Sequence, residues 1–315
     1  MKQAVLTAHG FELREVEQPV FGPTQVLVRT AGVGVCAGDV YLYKHETPEE
    51  DDGELWLGHE AGGTIVEAGE AVQDFAPGDR VTLLGGAFAE FCVADQARLA
   101  AVPDDVGLPC ALGEPLACCV HAGWRFGVRL GDSVAVIGAG FMGLVCMQLA
   151  RLQGAARVTV LDMLPWRLEM AEELGADDVL DPSGESPQKV AEKLGQQDVV
   201  IEAAGTQSAV DLGTLLVRQH GRFILVGYHQ TDAGIRTVDM KTWNFKAIEV
   251  VHGHVRRPAE KRDAMEAAMH LLASGRLKVE PLVTRYPISE IQTAFDHLVA
   301  RRKGLFKAVI TPKTD

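Results

Sequence analysis

The pattern of apolar and polar positions changes near Asp132. Before that point, short β-rich runs such as residues 25–29 and 63–67 alternate with glycine and proline. Many short strands separated by turn residues predict a compact, barrel-like β domain. After Asp132 the apolar runs become continuous and alternate with helical patterns, which predicts parallel βαβ units.

The second pattern predicts a doubly wound parallel sheet, which makes the fold class α/β. We predict strands at residues 133–137, 157–161, 198–202 and 222–226, and helices at 144–151 and 166–174. A helix pattern follows near residues 261–273, then at 277–285 and 289–300, before a final apolar strand at 306–310. We assign these C-terminal segments to the first domain, which becomes discontinuous in sequence. The predicted domains are therefore residues 1–121 with 255–315, and residues 122–254.

Composition indicates a well-packed protein with small-molecule partners. A chain of 315 residues with 47% hydrophobic residues is long enough for two domains. The formal net charge of -13 disfavours a sequence-independent grip on nucleic acid or on an anionic membrane. The longest apolar run, residues 134–150, is short of a full membrane span and contains three glycines. A strand, a turn and a buried helix explain it better.

The cysteines lie in apolar segments without paired spacing, and no charged-then-apolar leader opens the sequence. They are Cys36, Cys92, Cys110, Cys118, Cys119 and Cys146. This usage predicts a reduced, cytoplasmic protein.

A glycine loop of the form G-x-G-x-x-G stands between a predicted strand and a predicted helix. It consists of Gly138, Gly140 and Gly143, with Phe141 and Met142 inside it. In this context the first glycine allows a tight turn, the second lets the backbone approach a pyrophosphate, and the third lets the helix pack closely. The amide groups and dipole at the helix N-terminus then favour phosphate.

Asp162 ends the second predicted strand, 19 residues after Gly143. A carboxylate there accepts both hydroxyls of an adenosine ribose and repels a 2'-phosphate, so NAD is favoured over NADP. The simpler alternative is a capping aspartate before Pro165 in a generic α/β turn. Arg167 lies along the same ribose in one interpretation and is a solvated helix residue in the other.

Four side chains suit a zinc ion: the thiolate of Cys36, the imidazole of His59, and the carboxylates of Glu60 and Glu114. Taken singly, Cys36 fits a buried small hydrophobe and His59 a hydrogen-bonded turn histidine. Their surroundings favour a site, because glycines flank both segments, as in backbones bent around a ligand.

Several motifs together resemble the zinc-dependent medium-chain dehydrogenase/reductase family, with the sorbitol and threonine dehydrogenases as the most similar branch. The resemblance runs from residue 2 to residue 310. Its motifs are residues 35–39, 57–63, 78–81, 89–91 and 114–116, together with the glycine loop. It implies a GroES-like β-barrel catalytic domain, a Rossmann NAD-binding domain, and interconversion of a secondary alcohol or polyol and its ketone.

The resemblance also implies roles for individual residues. Zinc is expected on Cys36 and His59, with Glu60 and Glu114 sharing the remaining protein position directly or through water. Asp39 would orient the ring of His59.

Two further positions follow from the same resemblance. Cys118 falls where the family places a residue beside the nicotinamide, although it also fits simple packing. Lys307 falls where a basic residue often meets the pyrophosphate, and its alternative is a strand-edge charge.

The chain departs from the family pattern in its proton relay. Gly38 stands where many members have Ser or Thr, and Tyr41 stands where many have His. Either the substrate proton leaves through water, Tyr41, His45 or Glu60, or catalysis is altered.

A second departure concerns a structural zinc. Only residues 82–88, which contain no cysteine, bridge the two strands between which many relatives carry a four-cysteine lobe. We therefore expect one catalytic zinc and no structural zinc. A homodimer or homotetramer is expected from the resemblance.

Alternatives remain open at this stage. The superfamily also contains zinc-free NAD(P)H-dependent reductases of activated double bonds, and a non-catalytic nucleotide-sensing member is conceivable because a fold does not fix a function. The acidic run at residues 44–54 is a solvated loop or an attractor of amine-bearing or polyhydroxyl substrates. His252 and His254 fit packing beside a pocket better than a second metal site.

Overall fold

The computed structural model describes residues 1–48 and 53–312. The chain divides into two compact units. The first comprises Met1–Ala117, Arg257–Gly275 and Val279–Asp315, and the second comprises Cys118–Arg256 and Arg276–Lys278. The predicted domain boundaries at 121/122 and 254/255 fall near the limits of these units. That the two predicted domains fold separately stays a prediction.

The strands are numbered in chain order. They are β1 (Lys2–Thr7), β2 (Gly10–Glu15), β3 (Gln25–Gly34), β4 (Glu60–Ala68), β5 (Arg80–Leu83), β6 (Phe91–Asp95), β7 (Leu99–Ala101), β8 (Ser133–Ile137), β9 (Arg157–Leu161), β10 (Asp178–Leu180), β11 (Gln197–Glu202), β12 (Val217–Leu225), β13 (Glu249–His252), β14 (Val283–Pro287) and β15 (Lys307–Thr311).

The α-helices are numbered in the same way. They are α1 (Ala37–His45), α2 (Gly113–Phe126), α3 (Phe141–Leu152), α4 (Pro165–Glu173), α5 (Pro187–Leu194), α6 (Gln207–Leu216), α7 (Met240–Lys246), α8 (Pro258–Ala273) and α9 (Ile291–Val299).

The second unit is built on a six-stranded sheet in the order β10-β9-β8-β11-β12-β13. Every neighbouring pair in it is parallel. Such a sheet is buried on both faces, which explains the continuous apolar runs of β8 and β11. The strand order reverses between β8 and β11, and this switch point is where doubly wound sheets bind ligands.

The first unit holds a sheet in the order β14-β15-β3-β4-β5-β7, with β6 also paired to β3, and a separate ribbon of β1 and β2. Its core contains the fully buried side chains of Leu83, Phe88 and Phe295. The α/β fold class, with one strand-rich unit and one parallel-sheet unit, is confirmed.

The tail of the chain returns to the first unit, but one of its predicted segments differs. The helix pattern at residues 277–285 is wrong, because this segment forms a 3₁₀ turn at Glu280–Leu282 followed by β14. Pro281 lacks an amide donor, and Val283 and Thr284 are β-branched, so a strand is favoured over a helix there. Among the described residues, no helix has the length and apolarity needed to cross a membrane.

Candidate metal centre and nucleotide site

Cys36 lies at the start of helix α1, where it caps the helix N-terminus. Its Sγ accepts a hydrogen bond from the Gly38 amide at 3.4 Å, and its own amide donates to Oδ2 of Asp39 at 2.9 Å. This reciprocal pattern is a capping box, and it places the sulfur at the positive end of the helix dipole.

His59 and Glu60 follow a glycine that the local backbone requires. Gly58 has a φ of +97°, and a Cβ there would lie 2.9 Å from the Phe88 amide nitrogen. The Gly58 amide donates to Oδ1 of Asp39 at 3.4 Å, and the same oxygen lies 3.5 Å from Nδ1 of His59. Asp39 is 2% exposed. One buried carboxylate therefore joins the segments that carry Cys36 and His59.

The structure brings together Cys36, His59 and Glu60. One ligand atom from each lies within 4.8 Å of the other two, and among the described residues this is the one group of three or more His, Cys, Asp and Glu side chains that could hold a metal ion. Sulfur, nitrogen and oxygen donors in one place match the ligands that zinc prefers.

The electrostatics of His59 fit a cation at this position. The hydrogen bond to Asp39 and then that to Cys36 outweigh burial and raise the pKa of His59 to about 11. The Asp39 carboxylate and the Cys36 sulfur thus favour a positive charge here, and a divalent cation would satisfy the same two groups.

Glu60 is only 1% exposed, and its partner is Lys307 on β15. Nζ of Lys307 lies 2.5 Å from Oε2 of Glu60. Burial raises the pKa of Glu60, and the charge of Glu114 adds to this, whereas Lys307 opposes it. Burial alone would lower the pKa of Lys307, but Glu60 and Cys36 outweigh it and the pKa is raised. Lys307 is therefore a buried ammonium beside the metal group, and its expected contact with a pyrophosphate stays a prediction.

Glu114 lies outside the group of three. It stands in the first turn of α2 and forms an ion pair with Lys261 of α8, with side-chain exposures of 16% and 22%. Sequence reasoning missed Lys261, since 147 residues separate it from Glu114 and no local motif marks it.

A buried hydroxyl also escaped the sequence analysis. Oγ1 of Thr82 accepts a hydrogen bond from the Gly113 amide at 2.9 Å and donates to the Ala61 carbonyl at 3.3 Å. Thr82 is completely buried. It links the residue after Glu60 to the residue before Glu114, so the two carboxylates are carried by backbones that one side chain joins.

Two of the three candidate relay residues, Tyr41 and His45, lie on α1. The ring of Tyr41 is 4.7 Å from that of His45 between centroids. A proton route through Tyr41, His45 or Glu60 stays a prediction.

The nucleotide loop follows β8 in the second unit. Gly138 has a φ of +103°, and a Cβ there would lie 3.0 Å from the Ala204 amide nitrogen. A Cβ on Gly143 would overlap the carbonyl oxygen of Gly138, whereas one on Gly140 would meet nothing within 4 Å. Gly140 also caps α3 without a side chain. The loop therefore leaves open space at the helix N-terminus, where a phosphate binds favourably.

Asp162 binds the same loop. Its Oδ2 accepts a hydrogen bond from the Ala139 amide at 2.8 Å, and its Oδ1 accepts one from the Leu164 amide at 2.9 Å. Nη1 of Arg167 lies 3.6 Å from Oδ2. A carboxylate has about four acceptor positions, so ribose hydroxyls can still bind. Arg167 is thus a neighbour of Asp162 and not a remote surface residue.

Another buried carboxylate, Glu202 at the end of β11, supports the adjacent turn. Its Oε1 accepts hydrogen bonds from the amides of Ala204 and Gly205, and its Oε2 lies 3.1 Å from Nε2 of His229. Arg236 donates to Nδ1 of His229 at 3.1 Å, which leaves the hydrogen of this ring on Nε2. Burial raises the pKa of Glu202. A glutamate that ends an otherwise apolar strand was the one sequence signal for this network.

A cavity of about 370 Å³ lies in the second unit beside these residues, and His252 and His254 line it. Their ring centroids are 4.9 Å apart. Burial lowers the pKa of both imidazoles, so the neutral forms are favoured. This is the packing beside a pocket that the sequence suggested.

Two other predicted positions stay predictions. Cys118 opens the second unit and is partly exposed. Of the acidic run at 44–54, residues 49–52 lie outside the described residues, and Glu54 forms an ion pair with Arg14.

Comparisons with known proteins agree with this architecture. The alcohol dehydrogenase GroES-like domain matches residues 22–104, and the zinc-binding dehydrogenase domain matches residues 142–274. Sorbitol dehydrogenase of Homo sapiens is 33% identical and that of Bos taurus 32%, each alignment covering 95% of this chain and 93% of the relative.

Solved structures give the same result. The alcohol dehydrogenase of Thermus sp. ATN1 has a TM-score of 0.86 and 27% identity, over 99% of both chains. A putative zinc-binding dehydrogenase from Sinorhizobium meliloti 1021, bound to NADP, has a TM-score of 0.86 and 26% identity, over 99% of this chain and 100% of that one.

The chain belongs to the zinc-dependent medium-chain dehydrogenase/reductase family, in its sorbitol dehydrogenase-like branch. It is an alcohol or polyol dehydrogenase whose family uses zinc and a nicotinamide cofactor. The predictions of family, of a GroES-like domain with a Rossmann domain, and of enzyme class are confirmed.

Proposed function

We propose that this enzyme interconverts a secondary alcohol or polyol and its ketone with NAD, using one zinc ion held by Cys36, His59 and Glu60. The observation that carries the proposal is the meeting of these three donor side chains within 4.8 Å. The reverse reduction is available when NADH is abundant. The sequence similarity of this chain to sorbitol dehydrogenases supports a polyol as substrate.

The bound ion supplies a Lewis acid that lowers the pKa of an alcohol hydroxyl, and the nicotinamide supplies the hydride acceptor. The protein prepares the donors for this chemistry. Asp39 engages Nδ1 of His59, which leaves the other ring nitrogen for the metal. Lys307 fixes the carboxylate of Glu60 in a buried position.

Cofactor choice depends on Asp162 and Arg167. The Asp162 carboxylate beside the glycine loop disfavours a 2'-phosphate, which supports NAD. The Sinorhizobium relative binds NADP, and an arginine near this position can favour the phosphate. Because Arg167 lies 3.6 Å from Asp162, the carboxylate offsets its charge.

The stoichiometry of one zinc rests on the short connection between β5 and β6. Residues 82–88 contain no cysteine, so a four-cysteine site cannot form there. The proposal also includes Cys118 beside the nicotinamide, Lys307 near the pyrophosphate and Tyr41 in the proton route. We also propose that the protein forms a homodimer or homotetramer. A cytoplasmic location is proposed because the Cys36 thiol must stay reduced to bind a metal.

The test is the metal content per subunit of protein purified without chelator or metal-affinity contact, followed by turnover of a polyol panel with NAD and with NADP. We expect about one zinc per chain, as one catalytic site requires. The variant Cys36→Ser should lose zinc and turnover but retain NAD binding. Its matched control, Cys146→Ser, changes a buried thiol of α3 in the second unit. Wild-type protein that binds NAD but cannot be loaded with zinc would contradict the proposal.

A further inference from the structure

Glu202, which is completely buried at the end of β11, holds the turn that follows it, residues 203–205. Its Oε1 accepts hydrogen bonds from the Ala204 amide at 2.8 Å and from the Gly205 amide at 2.6 Å. Its Oε2 lies 3.1 Å from Nε2 of His229. A buried carboxylate needs polar partners of this kind, so the side chain and the turn fix each other's position.

Arg236 fixes the orientation of His229 and reaches the same turn. Its Nε donates to Nδ1 of His229 at 3.1 Å, so the neutral ring carries its hydrogen on Nε2, the atom beside Glu202. Its Nη2 donates to the Gly205 carbonyl at 2.9 Å. Glu202 therefore holds the turn by its amides, and Arg236 holds it by a carbonyl.

The turn is packed tightly between the glycine loop and the segment after β12. A Cβ on Gly138 of the loop would lie 3.0 Å from the Ala204 amide nitrogen. On the other side, a Cβ on Gly205 would lie 2.7 Å from the Tyr228 carbonyl oxygen. Closely packed groups cannot absorb a displacement, so any shift of the turn changes its position against the loop.

The turn belongs to the second half of the parallel sheet. It follows β11, on one side of the switch point, whereas the glycine loop and Asp162 follow β8 and β9 on the other side. Each half of such a sheet binds one mononucleotide of a dinucleotide. Because the adenosine ribose is expected on Asp162, the turn at residues 203–205 falls to the nicotinamide nucleotide.

We propose that Glu202, His229 and Arg236 are positioning residues that set the turn at residues 203–205 for the nicotinamide nucleotide half of the cofactor. The inference rests on the cofactor named in the proposed function and is independent of the zinc site. His229 and Arg236 act through the Glu202 carboxylate and the Gly205 carbonyl. Loss of His229 removes the donor beside Oε2, and the burial of this oxygen is then no longer offset.

The experiment compares the binding of NADH and of AMP to the full-length protein by titration calorimetry. AMP carries only the half of the cofactor that Asp162 is expected to bind. The variant His229→Leu removes both ring nitrogens. Its Kd for NADH should rise about tenfold, since changes within a network of this kind alter binding by about this order. Its Kd for AMP should equal that of the wild type.

Three further variants complete the test. His229→Gln offers an amide donor to Glu202 and an oxygen acceptor to Arg236, so it should restore the wild-type Kd for NADH. Glu202→Gln places an amide nitrogen against the ring N–H of His229, which Arg236 prevents from changing tautomer, and should weaken NADH binding as His229→Leu does. His270→Leu, which removes an exposed imidazole on α8 of the first unit, is the matched control.

The outcomes separate this inference from the proposed function. An unchanged Kd for NADH in His229→Leu and Glu202→Gln would overturn it. Equal rises in the Kd values for NADH and AMP would also overturn it, because they would show general damage to the unit. A weakened His229→Gln would show that the hydrogen-bonding pattern is not what matters. Wild-type protein that binds AMP but neither NADH nor NADPH would overturn the inference together with the proposed cofactor.

Discussion

Asp39 places Oδ1 at 3.5 Å from Nδ1 of His59, although 20 positions of sequence separate the two residues. The other oxygen of the same carboxylate accepts a hydrogen bond from the Cys36 backbone amide at 2.9 Å. Two of the proposed zinc ligands are therefore oriented by one buried group. Partners of this kind fix the ring orientation and the basicity of a metal-binding histidine.

Replacing Asp39 with asparagine should weaken zinc binding. The asparagine side chain keeps the shape of aspartate, and its oxygen can still accept a hydrogen bond from the Cys36 backbone amide. It no longer offers a negatively charged acceptor to His59. We expect zinc affinity to fall about 10- to 100-fold, the usual effect of such outer partners. Competition with a chromogenic chelator measures this. Asp95→Asn, a partly exposed cap of a 3₁₀ turn in the same unit, is the control. Equal affinity in Asp39→Asn and wild type would refute the positioning role.

Gly34 should tolerate no side chain, since the Glu60 carboxylate occupies that space. A Cβ there would overlap Oε2 of Glu60 and lie 3.1 Å from Cε of Lys307. Gly34→Ala should destabilise the protein by about 1 to 3 kcal/mol, as overpacking does, and should reduce zinc content. Urea unfolding and metal analysis report the two effects.

Gly107→Ala is the matched control for that change. A Cβ on Gly107 meets nothing within 4 Å, and its φ of -64° suits any residue. Similar losses in both variants would point to a general intolerance of alanine and not to the space needed by Glu60.

Asp162→Gly should shift cofactor preference toward NADP. Removal of the carboxylate abolishes its repulsion of a 2'-phosphate and leaves Arg167 to attract it. The ratio of kcat/KM with NADP to that with NAD should rise about tenfold, equivalent to about 1.4 kcal/mol for one charge contact. Asp181→Gly, an exposed carboxylate after β10, should leave the ratio unchanged. An unaltered cofactor preference in Asp162→Gly would contradict the role of Asp162 in disfavouring NADP.

Asp198→Asn should reduce stability in a pH-dependent way. Burial alone would raise the pKa of Asp198, but hydrogen bonds from Ser133 and Arg218 outweigh it and lower the pKa below the ordinary value of 3.8. The folded state therefore favours the carboxylate. Its stabilising contribution is complete above about pH 3.8 and is lost as the pH falls through the lower folded-state pKa.

We expect the Asp198→Asn variant to be about 1 to 2 kcal/mol less stable than wild type at pH 7, because Arg218 is partly exposed and solvent weakens the pair. The difference should shrink toward zero as the pH falls below that range. Urea unfolding at several pH values measures it, with Asp74→Asn as an exposed control. A difference that is constant with pH would show that the charge of Asp198 contributes nothing.

The sequence predicted features that short motifs determine. Strands β8 and β9 coincide with the predicted residues 133–137 and 157–161, because turn residues end both buried runs. Cys36, His59 and Glu60 were marked by their glycine-flanked segments, and the structure brings them together. Such signals lie within a few residues of the group they identify.

What escaped prediction depends on contacts between distant segments. Lys261 meets Glu114 across 147 residues, and His229 meets Glu202 only because the ends of β11 and β12 are neighbours. No periodicity specifies which ammonium reaches which carboxylate, because that pairing depends on side-chain packing in the finished fold.

Strand β15 has a consequence for how the protein is made. It lies between β14 and β3 and carries Lys307, while Cys36 and Glu60 are synthesised more than 240 residues earlier. Domains fold as units while the ribosome is still adding residues. The β3–β4 region must therefore wait, with its sheet edge unpaired, until synthesis has passed residue 311. A nascent chain shorter than this lacks the buried ammonium that pairs with the Glu60 carboxylate.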